Sequence, residues 1–238
     1  MTLRIGLLRM DDLPTHAVHV RGDYPDLYAE MFVEEDVSLI DVPVHHGAAP
    51  ASLDDADVWL FTGSRHSVTD DLPWIGRAAD LARQVIAERR PSVGICFGHQ
   101  LFAHALGGKV GPAGRWGLGA LEYRTVDPLP WFPEGSESIS LIASHQDQVL
   151  EAPAGATVWS TADYCPIAGM RVGPTAWSVQ AHPEFTADVA HALYEGRRER
   201  LGDAAIDQAR SSLSRPVSNR ALARAVVNFA GGLSEGSH

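Results

Sequence analysis

Hydrophobic and polar positions follow two alternating patterns along the first half of the chain. Short, almost continuous apolar runs predict strands at 3–10, 37–44, 56–64 and 91–96. Between them, apolar residues recur at helical spacing, which predicts helices at 24–35, 73–90 and 99–108. Apolar strands that alternate with helices are typical of an α/β fold. We therefore expect a mostly parallel central sheet with helices on both faces.

The pattern changes after the third predicted helix. Residues 109–182 are rich in Gly, Pro and Thr, and short strands are predicted there at 119–126, 138–144, 167–172 and 176–182. From 186 onward the apolar spacing is helical again, with a break at Pro216. No repeat or linker separates these parts. We expect a single domain over 1–238, with a small strand-rich insertion and a helical C-terminal extension over 186–238.

Composition and charge narrow the classes of partner. The 238 residues are 45% hydrophobic and carry a net charge of -11. An acidic chain disfavours nucleic acid, because phosphate binding needs a basic face. No apolar run approaches the roughly 20 residues that span a bilayer, so we expect no membrane partner. Two cysteines are too few for a disulfide framework, which favours a reducing cytoplasm.

The segment GICFGHQ (94–100) places one of the two cysteines between two glycines at the end of a predicted strand. A helix follows at once, so Cys96 would lie on a tight strand-to-helix turn that Gly94 and Gly98 make sterically accessible. The helix N-terminus favours a thiolate there, and the N–H of Phe97 could stabilise an oxyanion. This arrangement suits a nucleophile, although a lone cysteine is more often a buried small hydrophobic residue.

The segment SVQAHPEF (178–185) offers a base for such a nucleophile. A predicted strand ends at His182, and Glu184 follows with Pro183 stiffening the link. In a rigid turn the carboxylate could reach the imidazole, fix its tautomer and stabilise the imidazolium. The alternative is an ordinary surface turn.

Together, GICFGHQ at 94–100 and QAHPEF at 180–185 resemble the class I glutamine amidotransferases. The variant looks like the glutaminase domain of GMP synthetase and its stand-alone relatives. LFTGSRHSVTDDLPWI (60–75) resembles the family's second oxyanion loop, and ASHQDQV (143–149) resembles the segment that lines the glutamine pocket. The resemblance spans 3–185. It implies a flavodoxin- or Rossmann-like sandwich and cleavage of a γ-amide through a γ-glutamyl thioester.

The resemblance also implies roles for individual residues. In its Cys–His–Glu triad, Cys96 is the nucleophile, His182 transfers the proton and Glu184 orients the imidazole. The implied oxyanion donors lie at Phe97 and in the loop of Gly63 and Ser64. The implied substrate-binding groups are Gln100 and the backbone around Gln146, Gln148 and Val149, which would hold the α-amino and α-carboxylate groups of the substrate. No metal or organic cofactor is implied.

The oxyanion loop departs from the family pattern. Relatives often have Gly-Gly-Pro where this chain has Gly63, Ser64 and Arg65. A backbone donor survives the change from Gly to Ser only if φ is negative there. Arg65 and His66 add side chains with two possible roles. They contact the far end of a substrate or the loop of a partner protein, or they are exposed to solvent.

Three functions remain open at this stage. Residues 185–238 leave no room for a synthetase domain, and no phosphate-binding loop is found. A separate synthase subunit could therefore accept the ammonia released from a small-molecule substrate, glutamine. Alternatively, the chain is a γ-glutamyl peptidase that needs no synthase partner. The third possibility is a non-catalytic binding module. Loss of a triad residue would have indicated it, and all three residues are present.

We expect several other histidines and the second cysteine to take no part in proton transfer or nucleophilic attack. His45 and His46 lack companion ligands at metal-binding spacing, so we expect surface positions for them. His99 and His145 are expected to pack or to position other groups. Cys165 is expected in the core.

Overall fold

The computed structural model describes residues 2–133 and 136–235, and in them nine strands form one sheet. The strands are β1 (Leu3–Arg9), β2 (Val37–Pro43), β3 (Val58–Phe61), β4 (Ser92–Ile95), β5 (Lys109–Thr125), β6 (Ser138–Glu151), β7 (Ala156–Ala162), β8 (Cys165–Val172) and β9 (Ala176–Val179). The helices are α1 (Thr15–Arg21), α2 (Tyr24–Met31), α3 (Pro73–Ala87), α4 (Phe97–Ala105), α5 (Ala187–Glu195), α6 (Arg198–Leu201), α7 (Asp203–Ser212) and α8 (Asn219–Glu235).

The sheet has a parallel half and an antiparallel half. Its strand order is β2-β1-β3-β4-β9-β8-β7-β5-β6. The strands from β2 to β9 in this order pair in parallel, and those from β9 to β6 pair antiparallel. The predicted α/β class is therefore confirmed, and the strand-rich insertion extends the same sheet as its antiparallel half.

Helices cover both faces of the parallel half, as predicted. One hydrophobic core contains buried residues of α3 and α4 together with Trp59 and Phe61 of β3. The other contains buried residues of α2, α5, α7 and α8 together with Trp177 of β9. The C-terminal helices therefore contribute to a core, and the predicted break at Pro216 falls between α7 and α8. Within the described residues, no helix is long and apolar enough to cross a membrane.

The boundaries differ from the predicted ones where tertiary pairing outweighs local pattern. Helix α1 was not predicted, because it has only seven residues and follows Pro14 directly. Strand β7 was not predicted either, and its pairing with β8 is interrupted by register shifts. Strand β5 begins ten residues earlier than the predicted 119, since its Gly- and Pro-containing start pairs with β6 despite a bulge.

Candidate active site

Four neighbouring parallel strands bring distant parts of the chain to one edge of the sheet. Strands β1, β3, β4 and β9 run in the same direction, so their carboxyl ends lie together, where open α/β sheets bind ligands. Asp11, Ser64, Cys96 and His182 follow these strands in turn. They line two cavities with volumes of about 250 Å³ and about 30 Å³, which share Ser64 and Arg197 in their walls.

Cys96 lies on a strained turn between β4 and α4. Its φ of 51° and ψ of -100° are sterically disfavoured for a residue with a side chain. The turn is held from both sides, because the Cys96 N–H donates to the Val179 carbonyl at 2.9 Å and the Cys96 carbonyl accepts from the Gln100 N–H at 3.0 Å. The sulfur is thereby fixed at the N-terminus of α4, as the sequence predicted.

The glycines on either side of Cys96 allow this turn to pack closely. A Cβ on Gly98 would overlap the Phe61 carbonyl oxygen at the end of β3. A Cβ on Gly94 would lie 2.7 Å from the carbonyl group of Gly98, which is too close for two non-bonded atoms. The predicted need for small residues at both positions is confirmed.

His182 lies just beyond β9 and is oriented by its neighbours. Its Nδ1 is 2.7 Å from Glu184 Oε1, and because a carboxylate only accepts, Nδ1 donates. The imidazole stacks on Phe185, with ring centroids 4.1 Å apart and an angle of 4° between the planes. The His182 N–H donates to the Ile142 carbonyl at 2.8 Å. His182 and Glu184 are buried, so the HPE segment is not a surface turn.

Burial and two neighbouring acidic groups set the pKa of His182. Burial lowers this pKa, but the negative charges that Cys96 and Glu184 carry when ionised, together with the hydrogen bond to Glu184, raise it more, to about 10. The arrangement therefore favours an imidazolium at neutral pH. Since Nδ1 faces Glu184, Nε2 is the nitrogen available to exchange a proton with the sulfur or with a bound substrate.

Two side-chain amides connect the sulfur to the cavity wall. Gln180 Nε2 donates to Cys96 Sγ at 3.6 Å. Gln180 Oε1 in turn accepts from Gln100 Nε2 at 3.3 Å, and the same nitrogen donates to the Asp147 carbonyl at 2.8 Å. These contacts fix the Gln180 amide with its N–H toward the sulfur. Gln180 was not among the predicted site residues, although it begins the QAHPEF segment.

Backbone N–H groups near Cys96 are free to bind an oxyanion. Among the described residues, no acceptor contacts the N–H of Ser64 or Phe97. Ser64 does not have a positive φ, so the change from glycine leaves the backbone donor in place. Gly63 allows the loop to approach the imidazole, since a Cβ there would lie 2.7 Å from His182 Cε1. The pair of donors is what an oxyanion hole requires.

Asp11 holds the loop of Gly63 and Ser64 in position through Arg65. The buried Asp11 carboxylate accepts from the Arg65 N–H at 2.7 Å and from Arg65 Nε and Nη2, each at 2.8 Å. Arg65 lines the cavity but is already paired, so its main contact is structural. His66 packs edge-on against Trp74. Asp11 was not predicted, although its place directly after β1 put it at the ligand-binding edge.

The predicted substrate-binding residues separate into two groups. Gln100 and Gln146 line the cavity of about 250 Å³ beside Cys96. Gln148 and Val149 do not line it, and the Val149 side chain packs into the core that contains α3 and α4. Contact of the backbone there with a substrate stays a prediction. Asp147 lines the cavity instead, and its carboxylate accepts from Ser67 Oγ at 2.6 Å.

His99, His145 and Cys165 are buried, and His145 also lines the cavity of about 250 Å³ beside Cys96. Burial lowers the pKa of His99 to about 4, and its ring contacts Ser178 Oγ and the Ile167 carbonyl. Burial and the charge of His182 lower the pKa of His145 to about 3. Both rings are neutral at physiological pH. Burial raises the pKa of the Cys165 thiol to about 12, so this cysteine stays protonated in the core.

His45 and His46 have a companion that their spacing did not reveal. Asp12, in the loop after β1, places three metal-ligand atoms within 4.8 Å of one another. Nε2 of His45 and of His46 lie 3.1 and 2.9 Å from the Asp12 carboxylate. His45 is also largely buried, which corrects the predicted surface position. Because Arg9 pairs with the same carboxylate, we assign no metal to this cluster.

Known proteins share this sequence and this fold. The family model for glutamine amidotransferase class-I matches residues 24–195. The chain belongs to the class I glutamine amidotransferase family. A crystal structure of a glutamine amidotransferase from Thermotoga maritima superimposes on this member of the family with a TM-score of 0.76, at 17% identity and covering 98% of each chain. The family predicted from the sequence is thus confirmed.

Two curated relatives of this class I amidotransferase carry different names. Gamma-glutamyl peptidase 3 of Arabidopsis thaliana is 28% identical over 177 residues, which are 71% of each chain. One of the subunits of GMP synthase (glutamine-hydrolyzing) from Sulfurisphaera tokodaii is 33% identical over 133 residues, covering 56% of this chain and 69% of that protein. One of these names is that of a peptidase, and the other is that of a subunit of a synthase.

Proposed function

We propose that this protein is a cysteine hydrolase that cleaves the γ-amide bond of a γ-glutamyl compound through a thioester on Cys96. The observation that carries the proposal is the strained Cys96 turn beside the buried pair of His182 and Glu184. The similarity to a protein named gamma-glutamyl peptidase supports it.

In the first half of the reaction, the Cys96 thiolate attacks the γ-carbonyl carbon. The carbonyl oxygen becomes an oxyanion, which the N–H groups of Ser64 and Phe97 stabilise. The C–N bond then breaks, and His182 Nε2 gives its proton to the leaving nitrogen. The products of this half are a γ-glutamyl thioester on Cys96 and a free amine, or ammonia when the substrate is glutamine.

In the second half, water replaces the amine. His182, now neutral, takes a proton from the water as its oxygen attacks the thioester carbonyl. The C–S bond breaks, glutamate leaves and the thiolate is restored beside an imidazolium. Glu184 holds the ring in one tautomer throughout, so that Nε2 always faces the reacting groups.

The second candidate function is ammonia supply to a separate synthase protein. It uses the same chemistry with glutamine as the substrate. The similarity to a protein named as part of a glutamine-hydrolyzing GMP synthase favours it. The two functions differ in whether the isolated chain turns over γ-glutamyl peptides.

The proposal is tested by measuring glutamate release from the purified chain. The substrates are glutamine, γ-glutamyl dipeptides and the α-linked isomers of those dipeptides as controls. Turnover of the γ-linked dipeptides alone is the expected result. Turnover of nothing, together with slow labelling of Cys96 by an electrophilic glutamine analogue, would favour the synthase-coupled candidate. Absence of both turnover and labelling would refute both candidates.

Replacing Glu184 by glutamine is expected to move the alkaline limb of the pH profile of kcat/KM to lower pH. The Glu184 carboxylate raises the pKa of His182, so its removal lets that pKa fall. The imidazolium needed by the leaving group is then lost at a lower pH. We expect kcat to fall as well, by at most about 10⁴-fold, as for the corresponding change in a serine protease triad.

The control for this profile is Glu195→Gln, which removes a carboxylate that pairs with Arg198 on the surface. This variant should keep the wild-type alkaline limb. An unchanged limb in Glu184→Gln would show that Glu184 does not set the protonation of the base.

A further inference from the structure

Two guanidinium groups and one indole ring line the cavity beside Cys96. Arg197 directly precedes α6, and Arg200 lies within it. The guanidinium groups of both lie over the ring of Trp116 on β5. Their Cζ atoms are 5.3 and 5.1 Å from the ring centroid. All three side chains line the cavity of about 250 Å³ that also contains Cys96. The indole thus holds two like charges close together at the mouth of the candidate active site.

Among the side chains that the structure describes, neither guanidinium has an acidic partner. In residues 2–133 and 136–235, no carboxylate oxygen lies within 4 Å of Arg197 or Arg200. Arg197 Nη1 donates to Ser144 Oγ at 2.6 Å, and Arg200 Nη2 donates to Gln146 Oε1 at 2.8 Å. By contrast, Arg198 between them pairs with three carboxylates.

The unpaired charge on Arg197 is costly where it lies. Arg197 is half-buried, and burial lowers its pKa, which means that the cation is poorly solvated. An ionised Cys96 raises this pKa, and the nearby charge of Arg200 lowers it. A cation that is removed from water without a counter-ion is destabilising, so the pair is suited to an anionic ligand. A planar guanidinium can donate two parallel hydrogen bonds to one carboxylate.

The position of Arg197 indicates which part of a substrate it meets. Arg197 and Ser64 line both the larger cavity and the smaller one, and His182 lines the smaller one. In the proposed function, His182 gives its proton to the leaving nitrogen, so the leaving group lies on that side of the sulfur. Gln100 lies in the wall of the larger cavity, where its Nε2 donates to the backbone carbonyl of Asp147. The acidic residue Asp147 in the same wall suits the α-amino end of the γ-glutamyl group.

We propose that Arg197, Arg200 and Trp116 form a carboxylate subsite for the leaving group. The preferred substrate is then a γ-glutamyl peptide whose released amino acid or peptide carries a free carboxylate, and glutamine is a poor substrate because its leaving ammonia makes no such contact. This inference rests on the proposed function and adds the substrate class to it.

The test compares two substrates that differ only in charge, γ-glutamylglycine and γ-glutamylglycinamide. For the wild type we expect kcat/KM to favour the acid by about 10–100-fold, the range for a charge-assisted contact. In the double variant Arg197→Met, Arg200→Met this ratio should fall to near 1, because kcat/KM for the acid falls more than kcat/KM for the amide. The single variant Arg200→Met alters the more exposed group and should show part of the effect even if the double variant folds poorly.

The matched control is Arg124→Met, which removes an exposed arginine on β5 that pairs with Asp163. It should keep the wild-type ratio. An equal loss for acid and amide would place the two arginines on the γ-glutamyl end and overturn the inference, as would a wild-type ratio near 1. Absence of turnover of both substrates by the wild type would instead refute the proposed function itself.

Discussion

Replacing Cys96 by alanine abolishes glutamate release, with kcat expected to fall by at least about 10⁴-fold for every γ-glutamyl substrate. The methyl group cannot form the thioester, and no other nucleophile lies at the N-terminus of α4. The backbone donors of Ser64 and Phe97 and the His182–Glu184 pair remain in place, so a small residual rate is expected from water that they activate. Release of glutamate is measured with purified variant protein.

Cys165→Ala is the matched control for this loss. It removes the other cysteine, which is equally buried but lies in the core on β8 with a protonated thiol. It should keep near wild-type activity with some loss of thermal stability, because a small cavity is created. Full activity in Cys96→Ala, or loss of activity in Cys165→Ala alone, would contradict the assignment of the nucleophile.

Gly98→Ala is expected to reduce both stability and activity. The added methyl group would overlap the Phe61 carbonyl oxygen, a backbone atom that cannot move aside as a side chain can. Helix α4 must therefore shift away from β3, and Cys96 shifts with it. We expect a loss of about 1–3 kcal/mol in the free energy of unfolding, as for other overpacked sites. A displacement of the nucleophile by about 1 Å lowers activity by roughly 10²-fold.

Gly76→Ala separates this effect from the general consequence of placing alanine at a helical glycine. Gly76 lies in α3, and a Cβ there would have no atom within 4 Å. Alanine should therefore raise the melting temperature, since it favours the helix by up to about 1 kcal/mol. Wild-type stability and activity in Gly98→Ala would show that the close approach of α4 to β3 is not required.

The parts of this site that local sequence predicts are those that depend on short-range geometry. The turn at Cys96 follows from two glycines around a residue between an apolar strand and a helix, and the Glu184–His182 contact follows from a two-residue spacing stiffened by Pro183. Both need only a few consecutive residues. The same locality explains the prediction of the parallel strands and of α2, α3 and α4.

The parts that could not be predicted depend on which distant segments pack together. Arg197 and Arg200 reach the cavity only because α5 and α6 lie against the antiparallel half of the sheet, where Trp116 meets them. Asp11 holds Arg65 because β1 and β3 are neighbours. The side chain of Val149 packs into the α3–α4 core because side chains alternate along β6, which the motif alone does not reveal.

The covalent state of Cys96 during turnover tests the central claim most directly. Wild-type protein is mixed with a γ-glutamyl dipeptide, quenched in acid within the first turnover and examined by intact-protein and peptide mass spectrometry. Labelling with an electrophilic glutamine analogue provides a stable reference adduct. We predict a mass increase of one γ-glutamyl group, located on Cys96 and absent from Cys96→Ala. Release of glutamate without any adduct on Cys96 from either reagent would contradict the thioester mechanism.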